Sequence, residues 1–497
     1  MLLIGYIAGS LYLLCMIVMS LYGLNAMVTA ILFIRTKRSL KQGQSVPEPA
    51  EWPKVTVQLP VFNEKYMLER LLGAVTKLDY PVDRLQIQVL DDSTDDTALL
   101  SARLVEEYRA RGFNIECIFR TERGGYKAGA LKKGLETARG ELIAIFDADF
   151  VPSPDWLKKT VPQFQDPKLG CLQTRWGHTN REYNLLTRAQ ALAMDGHFVV
   201  EQTARSRNHL FMNFNGSAGL WRRSCIEDAG GWQTDTLTED FDLSFRAQIR
   251  GWNIGYLPDV IVPAELPASV EAFKKQQSRW AKGSIQVARK IVKRLFSQPD
   301  IPPYKRIAAL LQLTTYIVYP LMIVMLFLTL PVGLLAPRFF TIFPISILAT
   351  FGPPMLYVLA GARGTPSLAG RLKILPVITV IGFGISFNSA IAIIEALIGK
   401  GGTFIRTPKL NLTNNPNSTG QVDRAYLQPI SPIVWGEIGL SLYALLTIAI
   451  LQPRLGWFVV PWMGVYWLGY FYIASLNLYQ HWQAQYSGRS FAINEQV

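Results

Sequence analysis

Leu85-Gln86-Ile87-Gln88-Val89-Leu90-Asp91-Asp92-Ser93-Thr94 is an aliphatic run that stops abruptly in acids and hydroxyls. Leu85–Leu90 reads as a strand, and the polar residues behind it read as a turn that leads into a helix. The pattern recurs on both sides. Val55–Leu59, Ile115–Phe119 and Leu142–Phe146 read as further strands, with helical periodicity over Glu64–Lys77, Thr94–Arg111 and Tyr126–Ala138 between them. Strand-helix alternation predicts a parallel sheet, and such sheets bind ligands just beyond the carboxyl ends of their strands. Three of those ends are informative. Val57-Gln58-Leu59-Pro60 runs into Val61-Phe62-Asn63-Glu64, Val89-Leu90 into Asp91-Asp92, and Ile145-Phe146 into Asp147-Ala148-Asp149. Carboxylates on neighbouring strand ends share one rim, where they repel each other unless a cation-bearing ligand relieves them.

Outside this region the chain is apolar. Of 497 residues, 49% are apolar and only 18% charged, against roughly 25% charged in soluble domains. Residues 1–34 carry no charged side chain and are followed by Arg35, Lys37, Arg38 and Lys41. This run exceeds the roughly 7–15 apolar residues of a signal peptide and begins without a basic residue, so it reads as a retained anchor. Its basic flank puts residue 35 onward in the cytosol. Later apolar runs cover about 307–337, 339–362, 374–394, 431–453 and 455–480. The expected organisation is an anchor at 1–34, a cytosolic α/β domain at 35–265 and amphipathic interface helices at 266–306. Transmembrane helices at 307–480 follow, interrupted by a cytosolic loop at 399–430, and a cytosolic tail covers 481–497. The basic segments 363–373 and 400–429 both belong inside if 374–394 lies along or dips into the cytosolic face, which gives five crossings; six is the alternative.

The excess of 50 Lys+Arg over 37 Asp+Glu gives +13. These residues gather beside the apolar segments, which suits a lipid bilayer and a phosphorylated ligand and argues against nucleic acid. Cys15, Cys117, Cys171 and Cys225 lie far apart without a CxxC pair, against a disulfide scaffold or a cysteine-rich zinc site. His178, His197, His209 and His481 show no metal-ligand spacing and read as structural. The sequence leaves the oligomeric state open.

Each candidate motif has a plain structural reading when taken alone. Asp147-Ala148-Asp149 offers hard oxygen ligands to a divalent ion, but acids of this kind also occupy solvated turns. Lys127, after Gly124-Gly125, is either a surface lysine or a phosphate contact beside a helix N-terminus. Thr238-Glu239-Asp240 fits a helix cap with first-turn acids. Asn213-Phe214-Asn215-Gly216-Ser217-Ala218-Gly219, near Trp176 and Trp221, is an ordinary loop or a floor for a hydroxylated ring. Gln276-Gln277-Ser278-Arg279-Trp280 sits in a basic, amphipathic connector, where Arg279 and Trp280 also suit interfacial anchors.

Taken in order, Asp91-Asp92, Asp147-x-Asp149, Thr238-Glu239-Asp240 and Gln276-x-x-Arg279-Trp280 resemble the D, DxD, TED, QxxRW series of membrane-embedded family-2 glycosyltransferases. Lys127-Ala128-Gly129 resembles the KAG stretch of that family, and Phe214–Gly219 its acceptor-side loop. The overall likeness is to the cellulose synthase-like A branch, the mannan and glucomannan synthases, and its strong part covers about 53–300. Phe404-Ile405-Arg406-Thr407-Pro408-Lys409 resembles the FxVTxK gating loop of processive members, with Arg406 where that pattern has Val.

The resemblance implies a GT-A fold, a Rossmann-like parallel sheet inserted into a helical membrane protein, and a UDP- or GDP-linked sugar donor. It implies nucleoside contacts from Asp91 and Asp92, a nucleotide contact from Lys127, and Mg²⁺ or Mn²⁺ held by Asp147 and Asp149. It further implies Asp240 as general base, Gln276 and Arg279 at the diphosphate, and Trp280 with Asn215, Gly216 and Ser217 at the acceptor. Phe404, Thr407 and Lys409 would form the gating loop. The expected reaction is inverting transfer to a growing β-linked polysaccharide, coupled to translocation. The alternative is transfer of one sugar to a lipid acceptor, as in ceramide glucosyltransferase. A channel or receptor with a degenerate cytosolic domain is disfavoured, because the late helices carry few ionisable groups, chiefly Glu395 and Glu437.

Overall fold

The computed structural model describes residues 2–38, 46–342, 344–362, 364–399, 401–402, 409, 411–412 and 430–486. The four expected strands are present as β1 (Val55–Val61), β2 (Leu85–Asp91), β3 (Ile115–Phe119) and β4 (Leu142–Ile145). The helices between them are Leu68–Val75, Thr97–Ala110 and Tyr126–Thr137. β1 pairs in parallel with β2 and β4, and β2 with β3. Three further strands, β5 (Leu169–His178), β6 (Gly219–Arg222) and β7 (Asn253–Ala264), complete a seven-stranded sheet in the order β3-β2-β1-β4-β6-β5-β7.

The sheet is mixed rather than wholly parallel, because β6 runs antiparallel to both β4 and β5. The reversal follows from chain path. β6 begins directly after the 213–218 loop, which crosses the carboxyl end of β4, where Ala218 N–H donates to Ile145 O at 2.9 Å. Strands β1, β2 and β4 are buried along nearly their whole length, as expected for a sheet covered on both faces. One face packs on Leu68, Leu71, Leu72, Trp156 and Leu157, the other on Leu131, Ile226, Trp232 and Leu243.

Among the described residues, three stretches are long and apolar enough to cross a membrane: Leu3–Thr36, Thr315–Leu335 and Ile433–Gln483. The last turns at Gly456, whose φ is +72°, into helices of 23 and 28 residues that lie against each other, with Ser441 Oγ donating to Trp467 O. The 374–394 run, expected to depart from a simple crossing, is part of a helix pair, Leu368–Gly384 and Ser386–Leu397, bent by 45°. The 339–362 run forms a helix of only 16 residues, Pro344–Leu359, with Pro353 and Pro354 inside. At 1.5 Å per residue this is about 24 Å, short of the roughly 30 Å hydrocarbon core.

The basic connector holds a 27-residue helix, Val270–Phe296, followed by Pro303–Leu313. Two of its lysines are buried in ion pairs. Lys274 is 1% exposed and pairs with Glu437 at 2.7 Å, and Lys282 pairs with Glu395 at 2.9 Å. The few acids of the membrane region are therefore the counter-ions of this helix.

Candidate active site

The carboxyl ends of β1, β2 and β4 open into a cavity of about 490 Å³. Asp92, Lys127, Asp147, Asp149, Asn215, Gly216, Asp240, Gln276, Arg279, Trp280 and Lys409 all line it. The four motifs, scattered over nearly 190 positions of chain (91 to 280), thus meet at one place.

Each side chain is set by its element. Asp147 follows β4, and its N–H donates to Ser217 Oγ at 2.9 Å. Lys127 begins the Tyr126–Thr137 helix, entered through Gly125 at φ +71°. Its ammonium lies 2.5 Å from Asp147 Oδ1 and 3.9 Å from Glu239, and donates to Gly216 O at 2.8 Å. Asp149 Oδ2 accepts from Glu265 N–H at 3.1 Å and pairs with Lys409 at 2.8 Å. Gln276, Arg279 and Trp280 share one face of the Val270–Phe296 helix, as positions three and four apart must. Gly283 lets that helix approach the Thr238-Glu239-Asp240 turn, since a Cβ there would meet Thr238 Cγ2 at 2.5 Å.

Thr238 stands at the helix N-terminus but makes no side-chain capping bond, so the motif is not explained as a cap. Glu239 and Asp240 both line the cavity, Glu239 almost wholly buried, and Asp240 accepts from Phe241 N–H at 2.8 Å. Burial, then the Glu239 charge, pushes the Asp240 carboxyl up to about 7 against the pull of Lys127 and Arg279. Burial raises Glu239 as well, opposed by Lys127. Burial lowers Arg279, with Glu239, Asp147 and Asp240 opposing. Burial would lower Lys127 too, but Asp147 and Glu239 outweigh it and hold it above its ordinary value. Two cations and three carboxylates thus surround space for a ligand, with burial outweighing their mutual attraction at Asp240, Glu239 and Arg279 and yielding to it at Lys127.

Several expected residues sit differently from the sequence reading. Asp91 is 1% exposed, does not line the cavity, and accepts from Ser93 N–H at 2.7 Å. It shapes the turn, while Asp92 reaches the cavity with both oxygens held by Arg120. Ser217 is buried behind Asp147 rather than in the cavity wall. Of the two tryptophans near this loop, Trp221 belongs to the core and Trp176 lines the cavity, its indole N–H donating to Ser217 O at 3.1 Å. Lys409 is in the site, whereas Phe404 and Thr407 lie outside the described residues. Sequence reasoning missed Arg120, whose contact carries no local pattern, and Glu239, whose place inside the Thr-Glu-Asp triplet was signal enough. It also read as structural His178, which lines the cavity.

A divalent ion fits the residues present. Asp147 and Asp149 present hard carboxylate oxygens to one cavity, each now facing an ammonium group. No cluster of three or more His, Cys, Asp and Glu ligands occurs among the described residues. Two protein carboxylates completed by phosphate oxygens suit Mg²⁺ or Mn²⁺ on a diphosphate.

Residues 53–283 match the family model described as glycosyltransferase like family 2. This stretch, with its mixed Rossmann-like sheet, is a family-2 glycosyltransferase domain of the GT-A fold. Among curated proteins, the chain is 43% identical over 265 residues to probable glucomannan 4-beta-mannosyltransferase 4 of Oryza sativa subsp. japonica, covering 52% of this chain and 48% of that one. It is 42% identical over 263 residues to glucomannan 4-beta-mannosyltransferase 2 of Arabidopsis thaliana, covering 52% and 49%. To glucomannan 4-beta-mannosyltransferase 1 of Cyamopsis tetragonoloba it is 39% identical over 292 residues, covering 57% and 56%. The chain spans about half the length of the curated relatives it matches. Among solved structures, mannosyltransferase PcManGT from Pyrobaculum calidifontis superposes with a TM-score of 0.49 at 23% identity, covering 78% of this chain and 98% of that one.

Proposed function

We propose that the chain is an inverting glycosyltransferase that moves a hexose from a UDP- or GDP-linked donor to the end of a β-linked polysaccharide, in a reaction dependent on Mg²⁺ or Mn²⁺. The observation that carries this reading is the convergence of Asp147, Asp149, Asp240, Gln276, Arg279 and Trp280 on one cavity. The glucomannan mannosyltransferase relatives favour mannose as the sugar. A catalytic domain on the cytosolic side, reached from a multi-pass membrane region, agrees with the basic flank of the first apolar helix.

Asp147 and Asp149 would hold the metal, which supplies positive charge to the departing diphosphate. Lys127 and Arg279 add fixed cations beside it, where charge develops as the sugar leaves. Asp240 takes the proton of the acceptor hydroxyl; as an acid near neutrality it is matched to that task. A single in-line displacement inverts the anomeric carbon and needs no covalent intermediate on the protein. Gln276 supports the diphosphate, and Trp280 with Asn215 and Gly216 supports the terminal acceptor sugar. Lys409 beside Asp149 supports a role for the 399–430 segment at the donor.

The cavity continues between the membrane helices, where Tyr316, Tyr319, Tyr357, Ile378 and Ile381 line it. That continuation supports passage of the product into the membrane region. Membranes containing the protein, incubated with labelled GDP-mannose, UDP-glucose or UDP-N-acetylglucosamine, should yield a glycosidase-sensitive polymer. A single organic-extractable glycolipid would instead establish a lipid acceptor, and absence of nucleotide release from all three donors would refute the transferase reading.

A further inference from the structure

The Leu185–Asp195 helix continues without a break into a π-helical turn, Gly196–Gln202. Such turns are rare and concentrate at functional sites. This one carries His197 and Glu201 beside the 213–217 loop. His197 Nδ1 lies 3.0 Å from Glu201 Oε2, and the other Glu201 oxygen accepts from Arg205 Nε at 3.0 Å. Burial works to raise the Glu201 carboxyl, yet the His197 hydrogen bond and Arg205 bring it down to about 2. The carboxylate is therefore an acceptor, and Nδ1 carries the proton that it accepts.

The opposite ring nitrogen, His197 Nε2, lies 3.0 Å from Asn215 Oδ1 and 3.3 Å from Gln202 Nε2. An amide oxygen only accepts, so holding it requires the ring to donate from both nitrogens, one to Glu201 and one to Asn215. That oxygen also accepts from Asn213 Nδ2 at 2.9 Å, and Asn213 is held in turn by Gln312, which donates to its Oδ1 at 2.9 Å. The oxygen is thus the inward end of the Asn215 amide. Among the described residues its NH₂ meets only Gln173 Oε1 and Asn213 O, each at 3.4 Å, long for a hydrogen bond. Asn215 lines the cavity, so this weakly engaged donor is available to a sugar oxygen there.

We propose that His197 is a positioning residue that holds the Asn215 oxygen and so turns the Asn215 NH₂ toward the acceptor sugar. The proposal rests on the reading of the cavity as a glycosyltransferase site with Asn215 on its acceptor side. Glu201 fixes the ring, and the π turn sets both at the spacing the loop requires.

The test compares wild type, His197→Ala and His197→Gln as full chains in detergent, with the donor that supports transfer and a β-1,4-mannohexaose acceptor. His197→Ala should raise the acceptor KM about tenfold while the donor KM moves less than about twofold. His197→Gln, whose amide reaches the place of Nε2, should recover most of the acceptor KM. An unmoved acceptor KM in His197→Ala overturns the proposal, as does an equal change in both KM values without recovery in His197→Gln. If His197→Ala does not fold, a folded His197→Gln with an acceptor KM as poor as that of Asn215→Ala overturns it, and one near wild type supports it. Failure of the wild-type chain to transfer at all would remove the functional reading itself, a separate result.

Discussion

Gly216 offers the sharpest test of the catalytic geometry. Its φ is +87°, and a Cβ there would stand 3.0 Å from Asp240 Oδ2 and 3.4 Å from Lys127 Nζ. Replacing it with alanine has two separable effects. The backbone effect is about 1–2 kcal/mol for an L side chain in this region. The contact effect is a displacement of about half an ångström, because ordinary contact begins near 3.5 Å. Asp240 cannot swing freely away, since its other oxygen accepts from Phe241 N–H at 2.8 Å. A 1 Å misplacement costs on the order of 10²-fold in rate, so Gly216→Ala should lower kcat by about 10–100-fold. Gly112→Ala is the matched control: its φ is +91° and nothing lies within 4 Å of its Cβ. Nucleotide release and thermal unfolding of both variants should give similar losses of stability and a rate loss in Gly216→Ala alone. Equal rates in the two variants would refute the claim that Gly216 makes room for the base.

Asp240→Asn should reduce transfer by about 10²–10⁴-fold while donor binding, followed by nucleotide-sugar titration, persists. In wild type, kcat/KM for the acceptor should climb with pH and level off above about 7, where Asp240 has lost its proton; a plateau beginning near pH 4 would contradict the base assignment. Because its folded pKa is raised, this group favours folding most at low pH, and its contribution declines as pH rises from the ordinary value of 3.8 to about 7. Lys274→Met leaves Glu437 and Glu271 without their shared cation and should destabilise by about 3–5 kcal/mol, read as lost monodispersity and lowered Tm. The double variant Lys274→Met/Glu437→Leu should recover much of it. Chelation with EDTA should abolish nucleotide release, and Mn²⁺ or Mg²⁺ should restore it; full activity in EDTA would exclude the metal role of Asp147 and Asp149.

Much of the catalytic half was legible because local chemistry and period agreed. The runs over β1 to β4 are short, aliphatic and closed by polar residues, so strands and the rim that carries Asp92, Asp147 and Asp149 could be read directly. What could not be read were the long-range contacts. Asp91 and Asp92 are adjacent in sequence, yet only the position of Arg120, 28 residues on from Asp92, draws Asp92 to the cavity while Asp91 turns inward to the Ser93 amide. The antiparallel β6 was equally hidden, since Gly219-Leu220-Trp221-Arg222 is too short for its period to declare itself and its direction depends on where the preceding loop crosses β4. Ser217 was grouped with the cavity through the resemblance of its loop and Trp221 through proximity to that loop, but the positive φ of Gly216 and Ala218 turns Ser217 toward the Asp147 N–H, and β6 places Trp221 in the core.

The Val270–Phe296 helix explains why the two halves of the chain cannot be reasoned about separately. One face presents Gln276, Arg279 and Trp280 to the cavity. Several of its other contacts run to the membrane region: Lys274 to Glu437 at 2.7 Å, Lys282 to Glu395 at 2.9 Å, and Asn388 Nδ2 to Lys274 O at 3.0 Å. Glu271 accepts from Asn477 at 2.6 Å, and Val270 N–H donates to Gln480 at 2.9 Å. Buried polar contacts of this kind have few alternative partners, so they fix register where apolar packing alone would tolerate sliding. A shift of the 433–486 helices would therefore carry Arg279 and Trp280 with it. The acids of the membrane region, read from sequence only as too few for a transport path, thus hold the catalytic helix in place.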